Sequence, residues 1–149
     1  MDGSNGSFTG APTHQRLPRK IVMPYAKTFR DLTVYQHTRK EAKRLFLLTT
    51  RFPKAEMFAL TDQIRRSSRA VGALIAEGWT RRRYEADFVN KINQALAEAN
   101  ETQSWLDFAL DCGYIEEDEY REIDESWQHI GAMLGRMIQC SNSFCHSPA

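Results

Sequence analysis

Long apolar runs, paired cysteines and interior prolines are all scarce in this chain, and each scarcity narrows what it can be. No stretch of the 149 residues approaches the ~20 apolar residues that a membrane span requires, and the opening residues show no basic-then-apolar leader, so a cytoplasmic protein with no membrane partner is expected. Cys112, Cys140 and Cys145 are odd in number and lack paired spacing, which fits free thiols in a reducing compartment better than a disulfide framework. Five prolines and eight glycines, most of them near the ends or at a handful of interior points, favour long helices over a strand-rich fold with many turns. The chain also lacks a nucleophile elbow, a phosphate loop, a dinucleotide fingerprint and a Ser/His/Asp order, so no catalytic residue is expected.

What is present is a chain with 42% apolar residues, enough for one well-filled core, and an uneven charge distribution. The net charge of +1 conceals two halves: residues 1–91 hold 18 Lys and Arg against 8 Asp and Glu, and residues 92–149 hold 2 against 11. A molecule divided in this way can attract a polyanion, or pair head to tail with its own copies.

Residues 1–28 begin Gly/Ser/Asn-rich and continue through Pro18 and Pro24, which reads as a flexible, mildly basic arm. From residue 29 the pattern changes. Four segments repeat apolar or small residues at alternating steps of three and four, the seam of packed helices. The first, about 31–51, carries Tyr35, Thr38, Ala42, Leu45 and Thr49, widened by Val34, Phe46 and Leu48, and is stopped by Pro53. The second runs from Thr61, a plausible N-cap, to Glu77, with Gly78 as its expected terminator; Leu60, Ile64, Ser67, Val71 and Leu74 form its seam. Ser67, Ser68, Ala70, Gly72, Ala73 and Ala76 make it slim, so neighbouring backbones can approach closely. The third, about 84–112, repeats through Phe88, Ile92, Ala95, Ala99, Thr102, Leu106 and Ala109, with Gly113 at the left-handed cap position. The fourth, about 117–140, uses Tyr120, Ile123, Trp127, Ile130, Leu134 and Met137, with an acidic first turn that suits the helix dipole. Short connections make sequential helices antiparallel, so the expected fold is an all-α, antiparallel up-down-up-down four-helix bundle over 29–140, with a flexible tail over 141–149.

The run Phe29-Arg30-Asp31-Leu32, then Val34-Tyr35, Arg51-Phe52-Pro53, Leu60 to Ser68, Ile75-Ala76-Glu77-Gly78, Glu101-Thr102 and Trp105-Leu106 resembles the bacterial four-helix-bundle proteins first met as reading frames in 23S ribosomal RNA intervening sequences. The resemblance covers about residues 29–138. It implies a homo-oligomer, commonly a ring-shaped homopentamer, with no assigned enzymatic activity. It also implies kinship with the accessory protein of diversity-generating retroelements, which looks like a partner of a reverse transcriptase and of RNA or DNA. Many members carry Pro and Asn where this chain has Gly72 and Leu74, so that helix face reads here as packing.

The candidate nucleic-acid-binding residues are Arg65, Arg66 and Arg69 on the second helix and Arg81, Arg82 and Arg83 in the turn after it, extended by Lys40, Lys43 and Arg44 on the first. If Ile64 and Val71 face the core, the three helical arginines point outward, where guanidinium groups suit phosphate oxygens. A plain solvated face, or a face shared between subunits, is the competing reading. For subunit contacts the candidates are Trp79 and Trp105 as aromatic anchors and Glu117, Asp118 and Glu122 as the acidic counterpart. The carboxylate-bridged metal sites of some bundles need Glu-x-x-His pairs, which are absent despite Glu77, Glu98 and Glu101. Cys140, Cys145 and His146 match no zinc spacing, and His14 and His37 stand isolated. No metal or cofactor is therefore expected.

Overall fold

The computed structural model describes residues 26–145, and among them there are four long helices, one short one and no strand. A 3-10 turn, Phe29–Asp31, leads in. Asp31 Oδ2 accepts from the backbone N–H groups of Thr28 (2.9 Å) and Lys27 (2.8 Å), and these two bonds hold its carboxyl below the ordinary range. Phe29 then meets Tyr35 edge-on at 4.9 Å, and Leu32 is buried. The chain is thus packed against the bundle from Ala26 onward; residues 1–25 of the expected arm lie outside the described residues.

Helix α1 spans Thr33–Thr49, α2 Leu60–Thr80, α3 Glu85–Asp111, α4 Glu117–Gln139 and α5 Ser141–Phe144. Contacts across each neighbouring pair run in opposite directions along the chain. Gly72 faces Tyr35 while Arg65 bonds Thr49, and Gly78 faces Ile92 while Thr102 bonds Ser67. Likewise Gly131 faces Leu96 while Gln103 bonds Asp124, and His37 lies beside His129 while Arg51 pairs with Glu119. Four helices in sequence order, each antiparallel to its neighbours, close the bundle. No described helix is long and apolar enough to cross a membrane, and all three cysteines are free.

The four seams form the core. All seven seam residues of α3 are buried, and Ile123, Trp127, Ile130 and Leu134 of α4 are fully so. On α2 the seam moves from the expected Leu74 to Ile75, because an α-helix completes its turn in slightly more than the 3.5 residues of a strict seam.

Three other expectations change. Thr61 does not cap α2: it lies inside the helix, buried, with Oγ1 unpartnered. Glu56 does that work from outside, with Oε2 accepting from Leu60 N–H (3.1 Å) and Oε1 from the Tyr114 hydroxyl (3.2 Å). Gly78 does not end α2, which continues through Trp79 to Thr80. A Cβ there would lie 3.0 Å from Ile92 Cδ1, so this glycine serves the close approach of α3. Finally, helical packing continues beyond Cys140: Phe144 stacks on Phe88 with centroids 5.7 Å apart, and Ser141 donates to Glu85. Of the expected tail, residues 146–149 lie outside the described residues.

Gly113 behaves as expected, at φ +74°. Its N–H bonds Leu110 C=O and the Tyr114 N–H bonds Ala109 C=O, both at 2.9 Å, the paired bonds that close a helix through a left-handed residue. Two glycine substitutions should therefore have opposite signs in urea unfolding. Gly113→Ala is expected to destabilise by roughly 1–2 kcal/mol through left-handed strain. Gly135→Ala, inside α4 near its C-terminal end with nothing within 4 Å of an added Cβ, is expected to stabilise by roughly 0.5–1 kcal/mol.

Candidate nucleic-acid interface

The slimness of α2 has a consequence on the side facing α1. Gly72 and Ala73 carry almost no side chain, so a groove of about 740 Å³ opens between the two helices. Tyr35, Ala42 and Phe46 contribute apolar surface from α1, and Arg39, Lys40, Lys43 and Arg69 contribute four cations. No carboxylate lines it, and among the described residues none of the four cations pairs with an acid within 4.0 Å. Positions 35, 39, 42 or 43, and 46 recur at helical spacing, which places these α1 residues on one face.

The nine expected basic residues separate into several groups. Lys40, Lys43 and Arg69 come together at the groove. Arg65 does not project outward: half-buried, it donates from Nε to Thr49 Oγ1 (2.9 Å) and lays its guanidinium over Phe46, 4.8 Å from the ring centroid. Thr49 is held in turn by donating to Leu45 C=O at 2.8 Å. Arg66 is exposed and pairs with Asp62 (3.0 Å) one turn earlier. Arg44 turns toward α4 and pairs with Glu122 (3.0 Å), as Arg51 does with Glu119 (2.6 Å).

Arg81, Arg82 and Arg83 form a separate group at the turn between α2 and α3. Arg82 lies over Trp79, its guanidinium carbon 3.4 Å from the ring centroid, and donates to the Trp79 carbonyl oxygen (2.8 Å); burial lowers the guanidinium pKa. Arg83 approaches Tyr84 at 5.8 Å, and Arg81 is exposed. Arg39 and Phe46 were absent from the expected site, although the spacing of Arg39 to Lys43 and Phe46 was a readable signal.

The expected contact residues are distributed just as unevenly. Trp79 is half-buried beneath Arg82. Trp105 is also half-buried, donates from Nε1 to Glu101 (3.1 Å), and lies beside Phe108, which is 53% exposed. Glu122 is engaged by Arg44 within the chain, and Glu117 by Arg121, whereas Asp118 is exposed. Burial and then the neighbouring Glu101 raise the pKa of Glu98, while Glu77 pairs with Lys91 at 3.0 Å. His37 is not isolated, since its ring lies 5.7 Å from that of His129 across α1 and α4. Among the described residues no cluster of three or more His, Cys, Asp or Glu is arranged to hold a metal ion.

The profile of the 23S rRNA-intervening sequence proteins matches residues 30–136. The chain belongs to that family. A crystal structure of a protein of unknown function from the S23 ribosomal protein family of Bacteroides thetaiotaomicron is similar to it, with 32% identity and a TM-score of 0.64. The alignment covers 71% of this chain and 95% of that one. No curated protein matches the chain. The 23S rRNA-intervening sequence match takes in α1, α2 and α3 entire and α4 as far as Arg136, so the groove lies wholly inside the family domain.

The acidic α3–α4 face offers a pH test. Tyr120 donates to Asp107, and this bond, followed by partial burial, pushes the phenol up to about 12. A raised folded pKa means that the associated stabilisation is complete below the ordinary value of 10 and is lost as pH rises through about 12. Asp107→Asn is expected to return the Tyr120 titration toward 10 in near-ultraviolet absorbance; an unchanged titration would refute that cause.

Proposed function

We propose that this chain is a non-catalytic, self-assembling accessory protein that binds the backbone of a nucleic acid through its α1–α2 face. The observation that carries the reading is the groove lining, in which Arg39, Lys40, Lys43 and Arg69 stand together without a carboxylate. Other basic side chains, by contrast, are already engaged by Asp62, Glu77, Glu119 and Glu122. Cations left without internal partners attract phosphates and release the counterions condensed on them. The family's name refers to 23S rRNA, which makes RNA the first polyanion to test. The resemblance to a retroelement accessory protein makes a nucleic-acid enzyme such as a reverse transcriptase a second partner for the same face.

Self-assembly, with a ring of five copies as the specific proposal, is supported by apolar surface that a lone bundle leaves in water. Phe58 is 93% exposed, with Met57 beside it, and Phe108 projects from α3 next to Trp105. A ring joins two different faces of each copy, and the apolar surfaces at Met57–Phe58 and at Trp105–Phe108, neither of which lines the groove, would supply them. The second reading is an adaptor without nucleic-acid affinity, its charged faces consumed in assembly; the exposed Asp118 and Glu125 favour it.

Two measurements separate these readings. RNA binding should fall steeply between about 50 and 200 mM salt, and Lys40→Glu/Lys43→Glu/Arg69→Glu should reduce the slope of log affinity against log salt by about 3. Arg66→Glu, whose guanidinium already has Asp62, should change affinity much less. Absence of RNA and DNA binding at low salt would leave the adaptor. Light scattering should give a multimer at micromolar concentration, and a monomer at every salt concentration would refute self-assembly.

A further inference from the structure

Resting on the reading above, we infer that the α1–α2 groove takes single-stranded rather than double-stranded nucleic acid, with Phe46 as the surface on which a base stacks. The lining combines two chemistries that a duplex cannot use together. A row of cations suits phosphates of either form. An apolar floor that includes Phe46 and Tyr35 suits a base face, and a duplex keeps its base faces stacked inside.

Phe46 is 40% exposed although aromatic and next to the core, and it is pinned from one side rather than free. Arg65 lies over its ring at 4.8 Å and is itself held by Thr49, while Arg69 stands farther off at 5.8 Å. The ring is thus held in place before any ligand arrives, with the Arg65 guanidinium over it and Arg69 farther out; an aromatic ring backed by cations is the combination by which single strands are bound without regard to sequence.

Dimensions point the same way. A double helix is much broader than an α-helix, since its major groove alone, ~12 Å wide, admits one, so it cannot settle into a groove between two adjoining helices. A duplex could touch only the rim and would leave Phe46 unused. From Tyr35 to Phe46 the groove follows α1 for about 16 Å, room for a few nucleotides of an extended strand.

The experiment compares fluorescein-labelled oligouridylate and oligothymidylate of about a dozen nucleotides with duplex RNA of equal length, by anisotropy on the full chain at low salt. Single strands of both sugars should bind at least about tenfold more tightly than duplex. Phe46→Ala and Phe46→Leu should each weaken single-strand binding about tenfold and leave duplex binding unchanged, and Phe46→Trp should restore it. Phe46→Leu keeps the apolar bulk and removes only the π face, so its loss of binding cannot be assigned to unfolding. Equal affinity for duplex and single strand, or equal loss of both in Phe46→Leu, would overturn the inference while leaving backbone binding intact. No binding of any oligonucleotide would overturn the underlying reading. Dissociation of a multimer by Phe46→Leu would assign the groove to a second copy and overturn the inference as well.

Discussion

The close packing of α2 is the constraint on which the rest of the molecule depends. Ser67, Ser68, Gly72 and Gly78 are all buried, and where α2 meets α3 Ser67 faces Thr102 and Gly78 faces Ile92 with almost no side chain between the backbones. The α2–α3 contact is the most extensive in the bundle. At its centre Thr102 donates to Ser67 at 2.8 Å, which satisfies two buried hydroxyls that would otherwise cost stability. Every long helix supplies large residues to the interior: Ile64 and Ile75 from α2 itself, Phe88, Ile92 and Leu106 from α3, Trp127 and Ile130 from α4, and Leu45 from α1.

The same small side chains act on the opposite flank. At Gly72 a Cβ would meet only Tyr35 Cε2 at 3.6 Å and Thr38 Cγ2 at 3.7 Å, and together with Ala73 this leaves α1 standing over an open groove. Charge then settles on the ridges that remain. The α1 cations that turn toward α4 find carboxylates there, and those that turn toward α2 find none. The basic and acidic halves visible in the chain are thereby partly neutralised along one seam and left concentrated along another. Exposed pairs such as Arg44–Glu122 contribute at most about 1 kcal/mol each. Their larger effect is to decide which cations remain available.

Much of this was legible in the residues. The α3 seam, its glycine cap and the burial of Trp127 follow from local periodicity, and the structure agrees residue by residue. Where local reasoning failed, a distant partner was responsible. Thr61 lost its capping role to Glu56, which is held in place by Tyr114 from the α3–α4 turn, 58 residues away in sequence. Gly78 carried a signal that reads equally as a helix stop or as a close approach, and only the presence of Ile92 decides between them. Arg65 sits at an outward-reading position, but its long side chain folds back over Phe46 and reaches Thr49. The groove was readable only as one face of α1, through the spacing of Arg39, Lys43 and Phe46; that this face opens onto Gly72 and Ala73 depends on how α1 is rotated against α2, which neither helix specifies alone.

The most direct test is to fill the groove without touching the core. Ala73 is exposed and lines the groove from α2, so Ala73→Leu adds bulk where the small residues now leave space. The unfolding free energy in urea should stay within about 0.5 kcal/mol of the parent, while oligonucleotide affinity at low salt should fall about tenfold. Undiminished affinity in a fully folded Ala73→Leu protein would contradict the view that the slimness of α2 creates the binding face.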